Sequence, residues 1–176
     1  QPFVPPPGYA KVVLDPDLIL HLTDGRSFKT RLGKRAIYGE AQMSQLENEV
    51  RAAPRAAHLV ASGLVFERRE GESWLDCLAE HERLLALAAD HRVLLLSGDI
   101  HDNRFASYRT AGAWPMYEGT ASGAALKTAV TLGELRCNWG LLEIDEAQIE
   151  VRHFQIGVDP QPQVIQRASW TLKRPE

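Results

Sequence analysis

An uninterrupted apolar run at positions 93–96, Val-Leu-Leu-Leu, is the clearest structural signal in the chain. Four apolar residues without alternation indicate a strand that is buried on both faces. Segments 103–115 and 159–176 lack any comparable pattern, and we expect irregular structure in both. Shorter apolar or alternating runs predict further strands at 12–14, 18–23, 57–64, 117–120, 139–144 and 148–154, the last two forming a hairpin.

Two segments with helical periodicity alternate with these strands. The first begins at Gly39, carries an apolar stripe of Met43, Leu46 and Val50, and ends before Pro54. The second is predicted over 74–89, with Ser73 as its N-cap. Because strands and helices alternate, the sequence predicts an α/β architecture built on a parallel sheet. The apolar stripe predicted for the second helix is Trp74, Leu78, His81, Leu85 and Ala88.

Composition narrows the class of protein without identifying a function. A chain of 176 residues is one domain by length and can bury a substantial core. The net charge of -3 gives no electrostatic case for nucleic acid or an anionic membrane surface. No apolar run approaches membrane-spanning length. We expect the proline-rich residues 1–10 to be a linker or a cut end rather than a native start.

The buried run ends in Ser97-Gly98-Asp99-Ile100-His101, which places a carboxylate and an imidazole two residues apart. In extended backbone, side chains at this spacing project to the same side. Asp oxygen and His nitrogen are ligands for divalent and trivalent ions, and open α/β sheets carry their chemistry at this edge. Asp99 is equally compatible with a simple turn, since an Asp side chain stabilises turns by hydrogen bonds to the nearby backbone. Both interpretations remain open from these residues alone.

Asp24 and Arg26 follow the predicted strand at 18–23. The planar guanidinium of Arg26 offers donors that match the oxygens of a phosphate. The alternative is a surface arginine beside a turn-forming aspartate, and we favour the phosphate interpretation. We expect Arg104 to be a solvated loop residue. His21 and His58 lie within predicted strands without a ligand-spaced neighbour in the sequence.

Several motifs together resemble one family. The segment 94–101, Leu-Leu-Leu-Ser-Gly-Asp-Ile-His, resembles the last motif of the PhoD-like metallophosphatases, a branch of the calcineurin-like metallophosphoesterases. The order of the blocks agrees with that family, and they span most of the chain. One departure is Gly25, which stands between Asp24 and Arg26 where the family has Asp-Thr-Arg. The other matching blocks are 18–26, 39–46, Trp74 with 82–85, 117–123 and 138–144.

The resemblance implies a metal-dependent hydrolase of phosphate mono- or diesters. Asp99 and His101 would ligate two metal ions, of which iron, manganese, zinc or calcium are the candidates. Such ions turn a bound water into a hydroxide nucleophile. Asp24 and Arg26 would contribute to binding the phosphate ester. The implied fold is a four-layer α/β/β/α sandwich.

By resemblance, residues 11–158 form only the second half of such a domain, and residues 159–176 form an irregular tail. The partner needed to complete the site is then the upstream half of the same domain, which carries the remaining ligand motifs. A degenerate, non-catalytic domain with a structural or interaction role is the alternative, for which Gly25 leaves room. PhoD-like enzymes are often exported, so a location outside the cytoplasm is implied by the resemblance alone.

Overall fold

The computed structural model describes residues 8–27, 36–68, 72–100, 102–122, 138–145 and 148–155, and the backbone of 163–171. The helices are α1 (Gly39–Ala52) and α2 (Leu78–Asp90), the latter preceded by a 3₁₀ turn at Trp74–Cys77. No helix in this part of the chain is long and apolar enough to cross a membrane. The strands are β1 (Ala10–Asp15), β2 (Leu18–Leu22), β3 (Ala57–Ala61), β4 (Arg92–Ser97), β5 (Asn103–Tyr108), β6 (Met116–Ala121), β7 (Asn138–Ile144), β8 (Gln148–Gln155) and β9 (Gln163–Thr171).

The strands form two sheets. The larger has the order β1-β2-β3-β4-β6-β5, in which β2, β3, β4 and β6 are parallel and the two outer strands are antiparallel to their neighbours. The smaller is an antiparallel sheet of β7, β8 and β9. The predicted parallel sheet and the predicted hairpin are therefore both confirmed. Parallel pairing directs the carboxyl ends of β2, β3, β4 and β6 to one edge of the larger sheet.

Two hydrophobic clusters separate three layers. The first lies between the helices and the larger sheet, and it includes Met43, Leu46 and Val50 of α1 as the stripe predicted. The second lies between the two sheets, where Leu59 and Leu94 pack with residues of β8. Because β4 contributes Leu95 to the first cluster and Leu94 to the second, it is buried on both faces, as its unbroken apolar run predicts.

A hydrogen-bonded chain of polar side chains crosses the first cluster. The Tyr9 hydroxyl contacts His21 Nδ1 at 2.8 Å, His21 Nε2 contacts His58 Nδ1 at 3.0 Å, and His58 Nε2 contacts the Ala53 carbonyl oxygen at 3.1 Å. The carbonyl can only accept, so neutral His58 carries its proton on Nε2 and accepts at Nδ1. His21 then donates from Nε2 and accepts from Tyr9. Both histidines, for which the sequence indicated no neighbour, are fully buried hydrogen-bond partners.

Burial fixes the protonation state of this pair. Desolvation, followed by the proximity of His58, lowers the pKa of His21 from 6.5 to about 3. Desolvation also lowers the pKa of His58 to about 4, against a smaller opposing effect of the Ala53 carbonyl. Both imidazoles are therefore neutral in the folded chain at neutral pH.

The second predicted helix is divided in the structure. Trp74–Cys77 form the 3₁₀ turn, and α2 starts only at Leu78. Ser73 makes no side-chain capping hydrogen bond, so its predicted capping role is wrong. The change of helical pitch rotates the buried face, which leaves Leu78 60% exposed and buries Leu84 instead. The predicted stripe is therefore wrong at Leu78, although Trp74 and His81 are buried as predicted.

Three segment predictions need correction. Part of 103–115, expected to be irregular, forms β5, an outer strand of intermediate exposure that pairs with β6. The tail 159–176, also expected to be irregular, contributes β9, whose backbone pairs with β8. The proposed linker 1–10 is too long, since Tyr9 is buried against His21 and Ala10 begins β1. Residues 1–7 lie outside the described part of the chain.

Candidate functional site at the sheet edge

Two of the predicted site residues follow β2 at the edge where the parallel strands end. Asp24 Oδ1 accepts hydrogen bonds from the backbone N–H groups of Arg26 and Ser27, both at 2.9 Å. The Ser27 hydroxyl and these two N–H groups lower the pKa of the Asp24 carboxyl. This oxygen is thus engaged in closing an Asx-type turn, and that turn presents Arg26 at the sheet edge.

A buried glutamine holds the same turn from behind. Gln42 Oε1 accepts from the backbone N–H of Asp24 at 2.8 Å, and Gln42 Nε2 donates to the Asp24 carbonyl at 3.0 Å. A third contact joins Gln42 Nε2 to the Tyr38 carbonyl at 3.2 Å. Since Gln42 is only 1% exposed, the turn is attached to the first turn of α1 by a buried amide. Gln42 belongs to the matching block 39–46, but the sequence did not indicate its contact with Asp24.

The start of α1 is in turn fixed by a carboxylate from α2. Glu80 Oε2 accepts from the backbone N–H groups of Ile37 at 2.5 Å and Tyr38 at 3.1 Å. Glu80 Oε1 accepts from Gly39 N–H at 2.8 Å. A carboxylate here satisfies N–H groups that a helix start leaves without intrahelical partners and opposes the helix dipole favourably. Sequence reasoning missed Glu80, because an acidic residue on a helix gives no local sign of a distant helix start.

Asp99, the third predicted residue, lies at the end of β4 in a left-handed conformation with φ of 67°. Asp tolerates this region better than most residues do, at some conformational cost. Its carboxylate forms an ion pair with Arg26, and the same guanidinium contacts Glu72 at 2.9 Å. All three side chains are about half exposed, so the two pairs add little to stability. The structure thus brings Arg26 and Asp99 together across β3.

The loop after Asp99 is attached to the neighbouring strand. The backbone N–H of Ile100 donates to Ser122 Oγ at 3.1 Å, just beyond the end of β6. Beneath it, the buried hydroxyls of Ser97 and Thr120 share a hydrogen bond of 2.6 Å. His101 lies outside the described residues, and its predicted role as a ligand stays a prediction.

A buried charged network lies beside this edge. Glu118 is fully buried and accepts from Phe66 N–H at 2.7 Å, from the Tyr108 hydroxyl at 2.6 Å and from Arg104 Nη2 at 3.1 Å. Burial, together with the Glu118 charge, raises the pKa of Tyr108. The expectation that Arg104 is a solvated loop residue is wrong, because β5 turns its guanidinium towards this carboxylate. The network anchors the loop that follows β3.

A protein metal site needs several oxygen, nitrogen or sulfur donors around one point. Among the described residues, no group of three His, Cys, Asp or Glu side chains could hold an ion. Asp99 supplies one carboxylate, and Arg26 already neutralises it. The described part of the chain therefore does not form a metal site by itself, and any such site needs His101 or donors from elsewhere.

A separate cleft of about 1070 Å³ opens at the opposite edge of the larger sheet, near the starts of the parallel strands. Its lining includes Asp17, Arg55, Arg92 and Trp114, and it contains none of the predicted site residues. Open α/β sheets carry their chemistry at the carboxyl ends of the strands, so the candidate site lies at that edge and not in this cleft.

Comparisons with known proteins bear on the fold. No protein-family model matches this sequence, and no curated protein matches it. The solved structure of PhoD matches with a TM-score of 0.71 at 15% identity, over 93% of this chain and 41% of PhoD. A Vps29 double mutant from Entamoeba histolytica matches with a TM-score of 0.43 at 12% identity, over 97% of this chain and 66% of that one. Vps29 from Cryptosporidium parvum gives 0.38 at 15% identity, with coverages of 94% and 57%.

The PhoD likeness has a higher TM-score than those of the two Vps29 structures and covers most of this chain. At this level of identity it establishes the fold and not the activity. The chain spans less than half the length of PhoD, and its described residues supply one helical layer and two sheets. The predicted α/β fold class is confirmed: the described residues form a mixed α/β sandwich of one helical layer and two sheets, similar in fold to PhoD.

Proposed function

We propose that this chain forms the second half of a metal-dependent phosphoric ester hydrolase of the PhoD-like type. In this proposal, Asp99 and His101 are metal ligands, Arg26 binds the phosphate group, and Asp24 shapes the turn that presents Arg26. An upstream half of the same domain supplies the remaining ligands. The substrate class is a phosphate mono- or diester.

The observation that carries the proposal is the meeting of Arg26 and Asp99 at the carboxyl edge of the parallel strands. A guanidinium offers a fork of donors to phosphate oxygens, and a carboxylate at a strand end is a hard ligand for a cation. In a complex with a phosphate ester, the Arg26 guanidinium would contact the phosphate anion and the Asp99 carboxylate would contact a neighbouring metal cation. Their ion pair therefore fits a site in which an anion and a cation are bound side by side.

Metal ions bound at the completed site would supply a hydroxide nucleophile near neutral pH. This chain would supply two of the metal ligands and the guanidinium that binds the phosphate, and its own contacts hold these groups in position. The buried contacts of Gln42 hold the turn that carries Arg26. The Ser122 contact with Ile100 holds the loop that carries Asp99. Arg26 is half exposed and can therefore reach a bound phosphate without unfolding its turn.

The test uses the full-length gene product, with p-nitrophenyl phosphate and bis(p-nitrophenyl) phosphate as probes and metal content measured by elemental analysis. We expect bound metal and turnover in the wild type, and loss of both in D99N and H101A. R26A should keep the metal and lose about 10²-fold in kcat/KM, since it removes charge stabilisation alone. Arg51→Ala is the matched control, because Arg51 has similar exposure and its own ion pair with Glu47. A metal-free, inactive wild type would overturn the proposal.

One observation favours a second candidate, a non-catalytic interaction domain. Arg26 bridges Asp99 and Glu72, so Asp99 already has a cationic partner. If that ion pair replaces a metal ion, the full-length protein will bind no manganese, zinc or iron. R26A would then leave the metal content at zero, whereas a genuine metal site would keep its metal in that variant.

A further inference from the structure

Gly8 lies opposite Asp24, just beyond the paired part of β1 and β2. The register of these strands pairs Ala10 with Leu22. Two residues further out on each strand, the same antiparallel register brings Gly8 to Asp24. Residues that face each other in this way direct their side chains to the same side. The segment before β1 therefore meets the turn that carries Arg26.

The space that a side chain at position 8 would need is already filled. Gly8 has a φ of 91°, in the left-handed region that favours glycine. A Cβ at this position would overlap the Cβ of Asp24 and would lie only 2.7 Å from its Oδ2 atom. The Asp24 side chain thus lies across the backbone of Gly8. Both the close approach and the backbone conformation require glycine here.

The residues that follow Gly8 are held in place. Tyr9 is 4% exposed, and its hydroxyl contacts His21 Nδ1 at 2.8 Å. From Ala10 onwards the chain is paired with β2. Because these neighbours are fixed, a side chain at position 8 would displace the Asp24 side chain more readily than the backbone of Gly8.

A displaced Asp24 side chain would lose the contacts that close the turn. Its Oδ1 atom accepts hydrogen bonds from the backbone N–H groups of Arg26 and Ser27, both at 2.9 Å. Gln42 bonds the N–H and carbonyl groups of Asp24, which fixes the backbone of Asp24 and not its carboxylate. The direction of the carboxylate therefore depends on Gly8, and the position of Arg26 depends on that carboxylate.

We propose that Gly8 is a positioning residue for phosphate binding. Because it has no side chain, the Asp24 carboxylate can lie across its backbone and close the turn that presents Arg26. Gly8 acts through these two residues and does not itself contact the phosphate. The inference rests on the proposed function, since it concerns how the phosphate-binding guanidinium of that site is held. It gives a role to a residue of the predicted linker 1–10.

The test compares Gly8→Ala with Gly63→Ala in the full-length gene product. Gly63 follows β3 at the same edge of the sheet, and a Cβ there would have no heavy atom of the described residues within 4 Å beyond its chain neighbours. With bis(p-nitrophenyl) phosphate as the probe, we expect Gly8→Ala to lower kcat/KM by about tenfold and to keep the metal content of the wild type, because it displaces Arg26 and no metal ligand. Gly63→Ala should change kcat/KM by less than about twofold.

A double variant separates positioning from a general loss of stability. R26A removes the group that Gly8 is proposed to position, so Gly8→Ala should have little further effect on kcat/KM in the R26A background. If Gly8→Ala does not fold, Gly8→Asn replaces it, because Asn tolerates the left-handed region better and still carries a Cβ. An equal loss with and without Arg26, or equal losses for Gly8→Ala and Gly63→Ala, would overturn the inference.

Hydrogen exchange gives a readout that needs neither metal nor turnover. The backbone N–H groups of Arg26 and Ser27 should exchange faster in Gly8→Ala than in the wild type, because their acceptor is displaced, and should be unchanged in Gly63→Ala. Unchanged exchange in Gly8→Ala would overturn the inference even if the wild type binds metal and turns over the probe. A metal-free, inactive wild type with faster exchange in Gly8→Ala would instead overturn the proposed function, while the effect of Gly8 on the turn would stand.

Discussion

The buried pair of His21 and His58 makes folding stability depend on pH in a way that can be calculated. In the folded chain their pKa values are about 3 and about 4, whereas an unfolded histidine has a pKa of 6.5. Below about pH 6.5 the unfolded chain therefore binds more protons than the folded chain, and stability falls with falling pH. The stability is fully present above the unfolded pKa and is lost progressively towards the folded values.

The magnitude follows from the unfolded state, since both imidazoles stay neutral in the folded state down to about pH 5. Between about pH 7.5 and pH 5.5, protonation of one unfolded histidine stabilises the unfolded chain by between about 1 and 2 kcal/mol. The pair should therefore lower the free energy of unfolding by about 3 kcal/mol over this interval. That is a large fraction of the total stability of a typical domain.

The assay is urea unfolding of the chain, followed by tryptophan fluorescence at several pH values. The double variant His21→Gln/His58→Gln removes both titrating groups, so its stability should fall by about 3 kcal/mol less than that of the wild type over the same interval. Y9F is the control, because it removes the hydrogen bond to His21 and keeps both imidazoles. It should lower stability by about 1 kcal/mol and retain the pH dependence. Equal pH dependence in the wild type and the double variant would refute the reasoning.

Two further predictions concern the contacts around the candidate site. Glu118→Gln should destabilise the chain by about 3 kcal/mol in urea unfolding, because it leaves Arg104 without its buried partner. The control is E143Q at an exposed carboxylate, which should change stability by less than about 1 kcal/mol. Gln42→Ala should speed hydrogen exchange at Asp24 and lower stability by about 2 kcal/mol, since it removes the buried amide that holds the turn; unchanged exchange there would show that the turn does not depend on the amide.

Much of the central fold could be predicted from local pattern. The buried strand β4 and the buried stripe of α1 both appear in the structure as predicted. Both could be predicted because the spacing of their apolar residues in the sequence shows which faces are buried. β5 could not be predicted in this way. Nearly all of its residues are of intermediate exposure, so no apolar alternation marks it, and its strand conformation comes from pairing with β6. β9 likewise owes its strand conformation to pairing with β8.

The candidate site divides along the same line. Asp24, Arg26 and Asp99 could be chosen as candidates from the sequence, because each follows an apolar run that ends in a turn signal. Their arrangement could not, since the distance between Arg26 and Asp99 depends on β3 lying between β2 and β4. The supporting contacts of Gln42 and Glu80 also join residues that are far apart in the sequence. The sequence around Gln42 and Glu80 therefore does not indicate which groups they contact.

These supporting contacts connect the helices to the site in a definite order. Glu80 of α2 holds the start of α1, Gln42 of α1 holds the turn at Asp24, and that turn presents Arg26 to Asp99. The buried links restrict the backbone, while the exposed ion pair at the end adds little stability and can exchange partners. The contacts of Glu80 and Gln42 hold the backbone of the turn, whereas the side chain of Arg26 is free to move. Arg26 can therefore leave Asp99 for a bound anion at small energetic cost. Such an arrangement suits a ligand-binding edge better than an ion pair kept for stability.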